Sequence, residues 1–291
     1  MRIRAFFAMF LLLGLTPLAA SAEKIIFGFY PSHNREQLTI LATEFCNYLS
    51  AETGHEVEPL VSIDYETLVE SITKDELQFA WMSPLSFVRA EKKGNARVLL
   101  KSVRGTNPFY WGAIVVRKDR SVDSVHDLEG KKMGWTYPSS TAGYIFTKAG
   151  LEVAGIDSDR FFSENLFLGG YDELVKAVLD GTVDGGACFA NNTKGTRGAW
   201  TQYLPESDRD KLTPIFYTKA IPGDTITGSK KYIAANPKVS SSVVRALLEM
   251  GDGEAGRKIL GDLYQVDYLV DAEKEDYESV REAAEIFPNR N

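Results

Sequence analysis

Short apolar runs alternate with longer amphipathic stretches along the chain, from about residue 25 to residue 230. Ile25–Phe29 and Val57–Val61 have the length and the apolar character of buried strands. The segment between them, 35–50, repeats apolar residues at helical spacing and is followed by Thr53-Gly54, which favours a helix end. Strands that alternate with helices are typical of parallel sheets. The pattern therefore predicts an α/β fold.

The alternation continues through two similar sets of strands and helices. Further strands are predicted at 79–81, 97–103, 110–117, 132–135, 183–188 and 213–217, helices at 65–73, 85–92, 140–149 and 172–180, and helices alone after residue 230. Extended segments near Val116 and Ala220 join the two sets. We therefore expect two lobes with two crossings, the first lobe at 23–116 and 221–291 and the second at 117–220. Such folds bind ligands in the crevice at the carboxyl ends of their strands.

The first 22 residues are predicted to be a secretory signal peptide. Arg2 and Arg4 precede an apolar run from residue 6 to residue 15, and Ala20-Ser21-Ala22 supplies the small residues of a cleavage site. The apolar run is too short to cross a bilayer. No Cys stands at the cleavage site to take a lipid anchor. We therefore expect an exported protein.

The charge balance excludes some classes of partner. The net charge is −7, and removal of Arg2 and Arg4 with the signal peptide makes it −9. Such a chain is a poor match for nucleic acid and for acidic membrane surfaces, so an anionic ligand has to be held by local dipoles. Cys46 and Cys188 have no Cys or His close to them in sequence, so we expect no metal and no cofactor. A disulfide between the two is the alternative in an oxidising compartment, but we expect none.

Residues 134–144 carry the strongest chemical signal in the sequence. A strand ends, Pro138 breaks it, and Ser140-Thr141-Ala142-Gly143 opens the next helix. Free backbone N–H groups and the helix dipole make such a first turn a site for an anion, and the hydroxyls of Ser140 and Thr141 add two donors. Simple N-capping by Ser140 accounts for the same residues. Taken alone, the segment favours a cap.

Other turns between strands and helices, from both halves of the chain, are expected to face the same crevice. Asp64-Tyr65 opens one helix, Met82-Ser83-Pro84 ends a strand and opens another helix, and Gly170-Tyr171 opens a third. His33 follows the first strand and Asp224 lies in the second crossing, and both are candidate ligand donors. An Asx turn is an equally good explanation of Asp224. With these loops around it, the 140–143 turn is favoured as an anion site.

Seven short motifs occur in an order that resembles the phosphonate-binding family of periplasmic ABC-importer components. The resemblance extends from about residue 25 to residue 224, and the motifs are Asp64-Tyr65, Phe79-Ala80-Trp81, Tyr110-Trp111, Asp127-Leu128-Glu129-Gly130-Lys131, Ser140-Thr141-Ala142-Gly143-Tyr144, Val183-Asp184 and Ile221-Pro222-Gly223-Asp224. The Ser-Thr-x-Gly-Tyr element is the most specific of them. The resemblance implies a type II periplasmic binding protein, an α/β fold with a mixed, mostly parallel sheet flanked by helices in each lobe and two crossover hinges.

The resemblance also implies a function. A monomeric periplasmic receptor would close over a phosphonate, a phosphite or a similar oxyanion and pass it to a membrane permease driven by an ATPase. In that family the hydroxyls that match Ser140 and Thr141 bind the oxygens, and the tyrosine that matches Tyr65 adds its phenol from the other lobe. The turn at Met82 and Ser83 faces the ligand.

This chain departs from the family pattern at three of these positions. Met82 stands where members of the family often carry an aromatic residue or another side chain. Ala142 replaces a third hydroxyl, and Tyr171 replaces a histidine whose N–H meets the anion. A tyrosine also donates, but from a longer side chain. Asp224 is placed to meet the amino group of an aminophosphonate. The identity of the oxyanion is therefore left open.

Enzyme motifs are missing from the sequence. It contains no Gly-x-Ser-x-Gly elbow, no His-Glu-x-x-His helix and no phosphate loop, so we predict no enzymatic activity. A synthase on this fold would need a reactive His or Cys in the crevice. A receptor that presents the same ligand to a membrane sensor fits the sequence as well as an importer component does.

Overall fold

Two sheets, each covered by helices, organise residues 24–286, the part of the chain that the computed structural model describes. The strands are β1 (Ile25–Phe29), β2 (Val57–Val61), β3 (Phe79–Met82), β4 (Ala96–Val103), β5 (Phe109–Arg117), β6 (Lys132–Trp135), β7 (Glu164–Phe167), β8 (Gly185–Ala190), β9 (Leu212–Pro222), β10 (Thr225–Ser229) and β11 (Tyr268–Asp271). The predicted signal peptide, 1–22, lies outside the described residues. None of the helices in the described range is long and apolar enough to cross a membrane.

The helices follow the strands in the alternating order that the sequence predicts. They are α1 (Arg35–Thr53), α2 (Tyr65–Thr73), α3 (Pro84–Lys93), α4 (Phe146–Val153), α5 (Ser158–Phe161), α6 (Tyr171–Asp180), α7 (Ala199–Tyr203), α8 (Glu206–Arg209), α9 (Lys230–Ala235), α10 (Pro237–Glu249), α11 (Glu254–Tyr264) and α12 (Glu278–Ile286). Single tighter or wider helical turns occupy Val125–Leu128, Thr141–Ile145 and Lys274–Tyr277.

Both sheets are mixed. The first has the order β11-β4-β10-β3-β1-β2, in which β1 is parallel to β2 and β3 while β10 runs antiparallel to β3 and β4. The second has the order β7-β6-β8-β5-β9, in which β6 is parallel to β7 and β8 while β5 runs antiparallel to β8 and β9. The α/β class and the two mixed sheets predicted from the sequence are confirmed. The sheets are not mostly parallel, however, because three of the five strand pairs in the first sheet and two of the four in the second are antiparallel.

The chain passes between the sheets at two places. Strand β5 pairs with β8 and β9 along its length, so it belongs to the second sheet and the first crossing is at residues 104–108. We had expected this crossing near Val116, later in the chain, because the apolar residues of 110–117 do not indicate which sheet the strand joins. The second crossing, at Gly223 and Asp224 between β9 and β10, lies close to the expected position.

Strand β5 is apolar because both of its faces are covered. Ala113 and Val115 belong to one buried apolar cluster, and Ile114 and Val116 belong to another. Because successive side chains of a strand point to opposite faces, the sheet is buried on both faces. A strand that is covered on both sides is expected to be an uninterrupted apolar run, as 110–116 is.

The expectation of helices alone after residue 230 is wrong at one point. Tyr268–Asp271 forms β11, an edge strand that pairs antiparallel with β4. Four residues are too few to show an alternating pattern, and this strand is set by its pairing with residues far away in sequence.

Cys46 and Cys188 are both buried and unpaired.

Candidate ligand-binding cleft

A small cavity lies between the two lobes, next to the carboxyl ends of the parallel strands. It has about 390 Å³ of empty space, and residues from both lobes line it: Tyr30, Ser32, Tyr65, Ser83, Arg104, Tyr110, Ser140, Thr141, Tyr171, Phe189, Gln202, Tyr203, Asp224 and Tyr264. Only about 20 Å³ of this space can hold the centre of a water-sized sphere, so the cavity as it stands has room for only a very small ligand. Its position agrees with the rule that ligands of α/β sheets bind where the strands end.

Four helices begin at this cavity, two in each lobe. Tyr65 and Tyr171 are the first residues of α2 and α6, while Ser83 caps α3 and Ser140 caps the turn that leads into α4. The N-terminus of a helix carries unpaired N–H groups and a partial positive charge. The cavity is therefore suited to an anion, although the chain as a whole is acidic.

Ser140 caps its own helix and still has a proton to donate. Its Oγ accepts the N–H of Gly143 at 3.1 Å and lies 3.0 Å from the hydroxyl of Tyr171. A hydroxyl has one donor and two acceptor positions, so the cap takes up only one of them. The N-capping interpretation is thus correct for Ser140, but it does not exclude a contact with a ligand.

The turn after Ser140 is wound more widely than an α-helix. The N–H of Ile145 donates to the carbonyl of Ser140 at 3.1 Å, five residues back. A Cβ atom at Gly143 would lie 2.0 Å from Thr136 Oγ1, so this position needs glycine. Ala142 is next to it, buried, and its carbonyl accepts the hydroxyl of Thr147 at 2.7 Å.

Thr141 connects the two lobes. Its Oγ1 accepts the backbone N–H of Leu85, in the first turn of α3, at 3.1 Å. The bond satisfies one of the otherwise unpaired N–H groups of α3 and leaves the proton of Thr141 to donate. One hydroxyl of the second lobe thus lies at a helix start of the first lobe.

Further hydrogen bonds between the lobes surround the cavity on several sides. The Ser139 hydroxyl donates to Glu66 at 2.7 Å and accepts from Arg89 at 2.8 Å. The remaining bonds join Tyr171 N to Ser32 O at 2.9 Å, Asn34 N to Asp172 Oδ2 at 3.1 Å, and Asn191 Nδ2 to Gln265 Oε1 at 2.7 Å. The structure is therefore the closed arrangement of the two lobes.

A buried ion pair lies at the cavity wall. Arg104 Nη2 is 2.9 Å from Asp224 Oδ2, and the two side chains are 6% and 5% exposed. The hydroxyl of Tyr30 also donates to this oxygen, at 3.4 Å. Burial raises the pKa of the Asp224 carboxyl, while Arg104 and Tyr30 act in the opposite direction. Each crossing between the lobes thus contributes one member of the pair.

Six tyrosines make up much of the wall: Tyr30, Tyr65, Tyr110, Tyr171, Tyr203 and Tyr264. Burial raises the pKa of every one of these hydroxyls. They therefore keep their protons at neutral pH and act as donors. Tyr171 lies within hydrogen-bonding distance of the Ser140 hydroxyl, so its phenol brings a further hydroxyl to the start of the 140–143 turn.

The structure brings together six of the nine site residues predicted from the sequence. Ser140, Thr141, Tyr65, Ser83, Tyr171 and Asp224 line the cavity. Ala142 and Met82 are buried beside it but do not line it; Met82 is the last residue of β3, and its side chain belongs to the apolar core of the first lobe.

His33, the ninth residue, lies at the seam between the lobes and does not line the cavity. Its Nδ1 is 2.8 Å from Ser32 Oγ and 3.3 Å from the Tyr203 hydroxyl. The chain bends at His33, so Ser32 faces the cavity and His33 lies outside it.

Several wall residues were missed by sequence reasoning. Tyr30 directly follows β1, so the rule that found His33 applies to it too. Arg104 lies between β4 and β5, and its position at the cavity was not predicted because the first crossing was expected later in the chain. Tyr203 and Tyr264 end helices α7 and α11, and no local signal directs such residues to a cleft.

Comparison with known proteins decides the family. Residues 27–277 match the family model described as "ABC transporter, phosphonate, periplasmic substrate-binding protein". The chain belongs to this family. It is thus a periplasmic substrate-binding component of an ABC importer, as the motifs predicted.

Individual relatives agree with this assignment. The phosphonates-binding periplasmic protein of Escherichia coli (strain K12) is 26% identical over 240 residues, which cover 78% of this chain and 68% of that protein. The phosphate-import protein PhnD of Mycolicibacterium smegmatis is 26% identical over 246 residues, which cover 81% and 73%.

A solved structure shows the same fold. PhnD1 of Prochlorococcus marinus (MIT 9301), determined in complex with methylphosphonate, superposes with a TM-score of 0.78 at 20% identity, over 91% of this chain and 98% of that chain. The type II periplasmic binding protein fold predicted from the sequence is confirmed.

Proposed function

We propose that the cleft binds a small phosphorus oxyanion, such as a phosphonate or phosphite, and that the closed protein delivers it to an ABC permease and its ATPase. The observation that carries this proposal is the convergence of four helix N-termini on one cavity. Relatives named for phosphonate binding and phosphate import support the same ligand class.

The ligand contacts follow from the geometry of the cavity. The hydroxyls of Ser140 and Thr141 and the N–H groups of their helical turn bind oxygens from the second lobe. Tyr65 and Ser83 donate from the first lobe, and Tyr171 donates in place of a histidine. Because the donors are divided between the lobes, a ligand binds the closed state more tightly and shifts the population towards it.

Three predicted site residues receive supporting roles in this proposal. Ala142 keeps the turn small enough for close approach of the ligand to the backbone, and Met82 anchors the strand that positions Ser83. His33 holds the seam between the lobes through Ser32 and Tyr203. Asp224 contributes as the partner of Arg104.

The setting of the protein completes the proposal. Residues 1–22 direct export and are removed, and the mature protein acts in the periplasm as a monomer. Delivery to a permease, not to a sensor, is favoured by the family to which the chain belongs. Stimulation of the cognate importer's ATPase in proteoliposomes by the protein with its ligand tests this point.

A thermal-shift screen tests the ligand class. The mature protein is heated with methylphosphonate, phosphite, phosphate, sulfate and methanesulfonate in turn. A ligand present at a hundredfold excess over its dissociation constant stabilises the folded state by about 2.7 kcal/mol, so a phosphorus oxyanion should raise the melting temperature clearly. A shift with sulfate or sulfonate alone, or with none of the five, overturns the proposal.

A further inference from the structure

The guanidinium group of Arg104 uses only part of its hydrogen-bonding capacity. Nη1 donates to Ser102 Oγ at 3.1 Å, and Nη2 donates to Asp224 Oδ2 at 2.9 Å and to the carbonyl of Tyr264 at 3.0 Å. Nε is buried and has no hydrogen-bond partner among residues 24–286. Because Arg104 lines the cavity, an oxygen atom of a bound ligand can accept this proton.

The same side chain sets the charge of the cavity. Of the residues that line it, Arg104 and Asp224 are the two with formal charges, and they neutralise each other in a buried contact. A ligand that carries an ammonium group needs a carboxylate close to it. Asp224 is already paired with Arg104 and Tyr30 through Oδ2, and the nearby guanidinium repels a second cation.

The surface around the ion pair is aromatic. The guanidinium of Arg104 lies 5.6 Å from the centre of the Tyr110 ring, and the rings of Tyr30 and Tyr264 stack at 4.7 Å. Such surfaces accept a hydrogen atom or a short alkyl group readily. A ring face also attracts a cation, but the Tyr110 ring already faces the guanidinium of Arg104.

We propose that Arg104 determines specificity at this site: it binds a ligand oxygen through Nε and, by pairing with Asp224, restricts the site to oxyanions whose tail is uncharged. The inference rests on the proposed function, because it concerns a ligand of the same cavity. It implies that alkylphosphonates bind and that zwitterionic aminoalkylphosphonates are excluded, in contrast to the aminophosphonate role of Asp224 considered from the sequence.

Calorimetry of the unaltered protein with ethylphosphonate and aminoethylphosphonate gives the first test. The two probes differ mainly in the terminal ammonium group. We expect ethylphosphonate to bind at least about tenfold more tightly, because a like charge at a buried site is strongly unfavourable. Equal or tighter binding of aminoethylphosphonate overturns the inference while leaving the proposed function intact. Failure of both probes, together with phosphite and phosphate, instead overturns the proposed function.

Variants at the ion pair give the second test, in which the dissociation constants of both probes are measured at pH 8. Arg104→Met removes the Nε donor and releases Asp224, so ethylphosphonate should bind about tenfold more weakly and the preference against aminoethylphosphonate should shrink or reverse. Arg104→Met combined with Asp224→Asn removes both charges, and it should lose oxyanion affinity without gaining the amine. Arg97→Met, at an exposed position on β4, the strand that precedes Arg104, is the control and should match the unaltered protein.

The double variant also covers the case in which Arg104→Met alone does not fold, because it leaves no unpaired charge in the interior. If ethylphosphonate binds a folded Arg104 variant as tightly as the unaltered protein, Arg104 is not a ligand donor. An unchanged ratio of the two probes in Arg104→Met shows that the guanidinium does not exclude the amine. Either result overturns the inference.

Discussion

The side-chain oxygen of Thr141, in the second lobe, accepts the backbone N–H of Leu85, in the first lobe, at 3.1 Å. This bond joins the first turns of two helices that face each other across the cleft. An oxyanion between these turns would receive donors from both lobes. We therefore expect Thr141 to connect ligand binding with closure of the lobes.

Thr141→Val tests this connection. Valine has nearly the shape of threonine but offers neither the proton for the ligand nor the acceptor for Leu85. We expect the dissociation constant for the cognate oxyanion to rise about tenfold or more, because hydrogen bonds to charged groups contribute about 1.5–3 kcal/mol each. Titration calorimetry measures the change. Thr182→Val, at an exposed turn of the same lobe, should leave the affinity unaltered, and equal affinities in the two variants contradict the role of Thr141.

Ser139→Ala tests the contribution of the outer contacts to the closed state. The hydroxyl of Ser139 contacts Glu66 and Arg89 of the opposite lobe but does not line the cavity. The variant should therefore release ligand several-fold faster, since a net hydrogen bond contributes about 0.5–1.5 kcal/mol. Stopped-flow fluorescence gives the dissociation rate, with the exposed Ser163→Ala as control. A dissociation rate equal to that of the control would show that this contact does not hold the lobes together.

Asp224→Ala tests the buried ion pair as an element of stability. The substitution leaves the Arg104 guanidinium without a counter-ion in a buried position, an arrangement that costs about 3–5 kcal/mol. The free energy of unfolding, measured with urea, should fall by that order. Asp271→Ala, at an exposed position of the first lobe, serves as the control. A loss no larger than that of the control means that water or another group compensates Arg104.

We expect the stability of the folded protein to depend on pH because of His33, which lies at the seam between the lobes. Burial lowers the pKa of His33 to about 4, although the charge of Asp172 acts in the opposite direction. The unfolded chain, with the ordinary pKa of 6.5, then binds more protons than the folded one between pH 6.5 and 4. The contribution of His33 to stability is complete above pH 6.5 and is lost as the pH falls towards 4.

Glu173 acts in the opposite sense at the same seam. Burial, together with the neighbouring Asp172 carboxylate, raises the pKa of Glu173 to about 7. Its contribution is therefore complete below its ordinary pKa of 4.5 and is lost as the pH rises through 7. The two residues can be separated by His33→Gln, which should show a smaller loss of unfolding free energy between pH 6.5 and 4 than the unaltered protein. Parallel pH profiles for the two proteins contradict the assignment to His33.

Local patterns were sufficient to predict the strands that carry the site. Tyr65 and Ser83 each lie between the end of a buried strand and the start of a helix. The strand end and the helix start can both be recognised from a few residues of sequence. The carboxyl ends of neighbouring parallel strands meet at one edge of a sheet. The convergence of such residues on one cavity could therefore be predicted without knowing how the lobes pack.

Other parts of the site depend on pairing and packing that no local pattern records. Residues 110–117 were placed in the wrong lobe because an apolar strand carries no mark of its partner sheet. Arg104 lies shortly before that strand. Its position at the cavity could not be predicted until the position of the crossing was known. Tyr203 and Tyr264 reach the cavity from the ends of helices, where tertiary packing alone sets their direction.

Titration calorimetry with methylphosphonate, on the unaltered protein and on Thr141→Val, tests the central claim most directly. The account predicts one phosphonate or phosphite bound per chain, with the affinity reduced about tenfold or more in the variant and no heat of binding from sulfate. Absence of binding by every phosphorus oxyanion, or equal affinity in the two proteins, contradicts it.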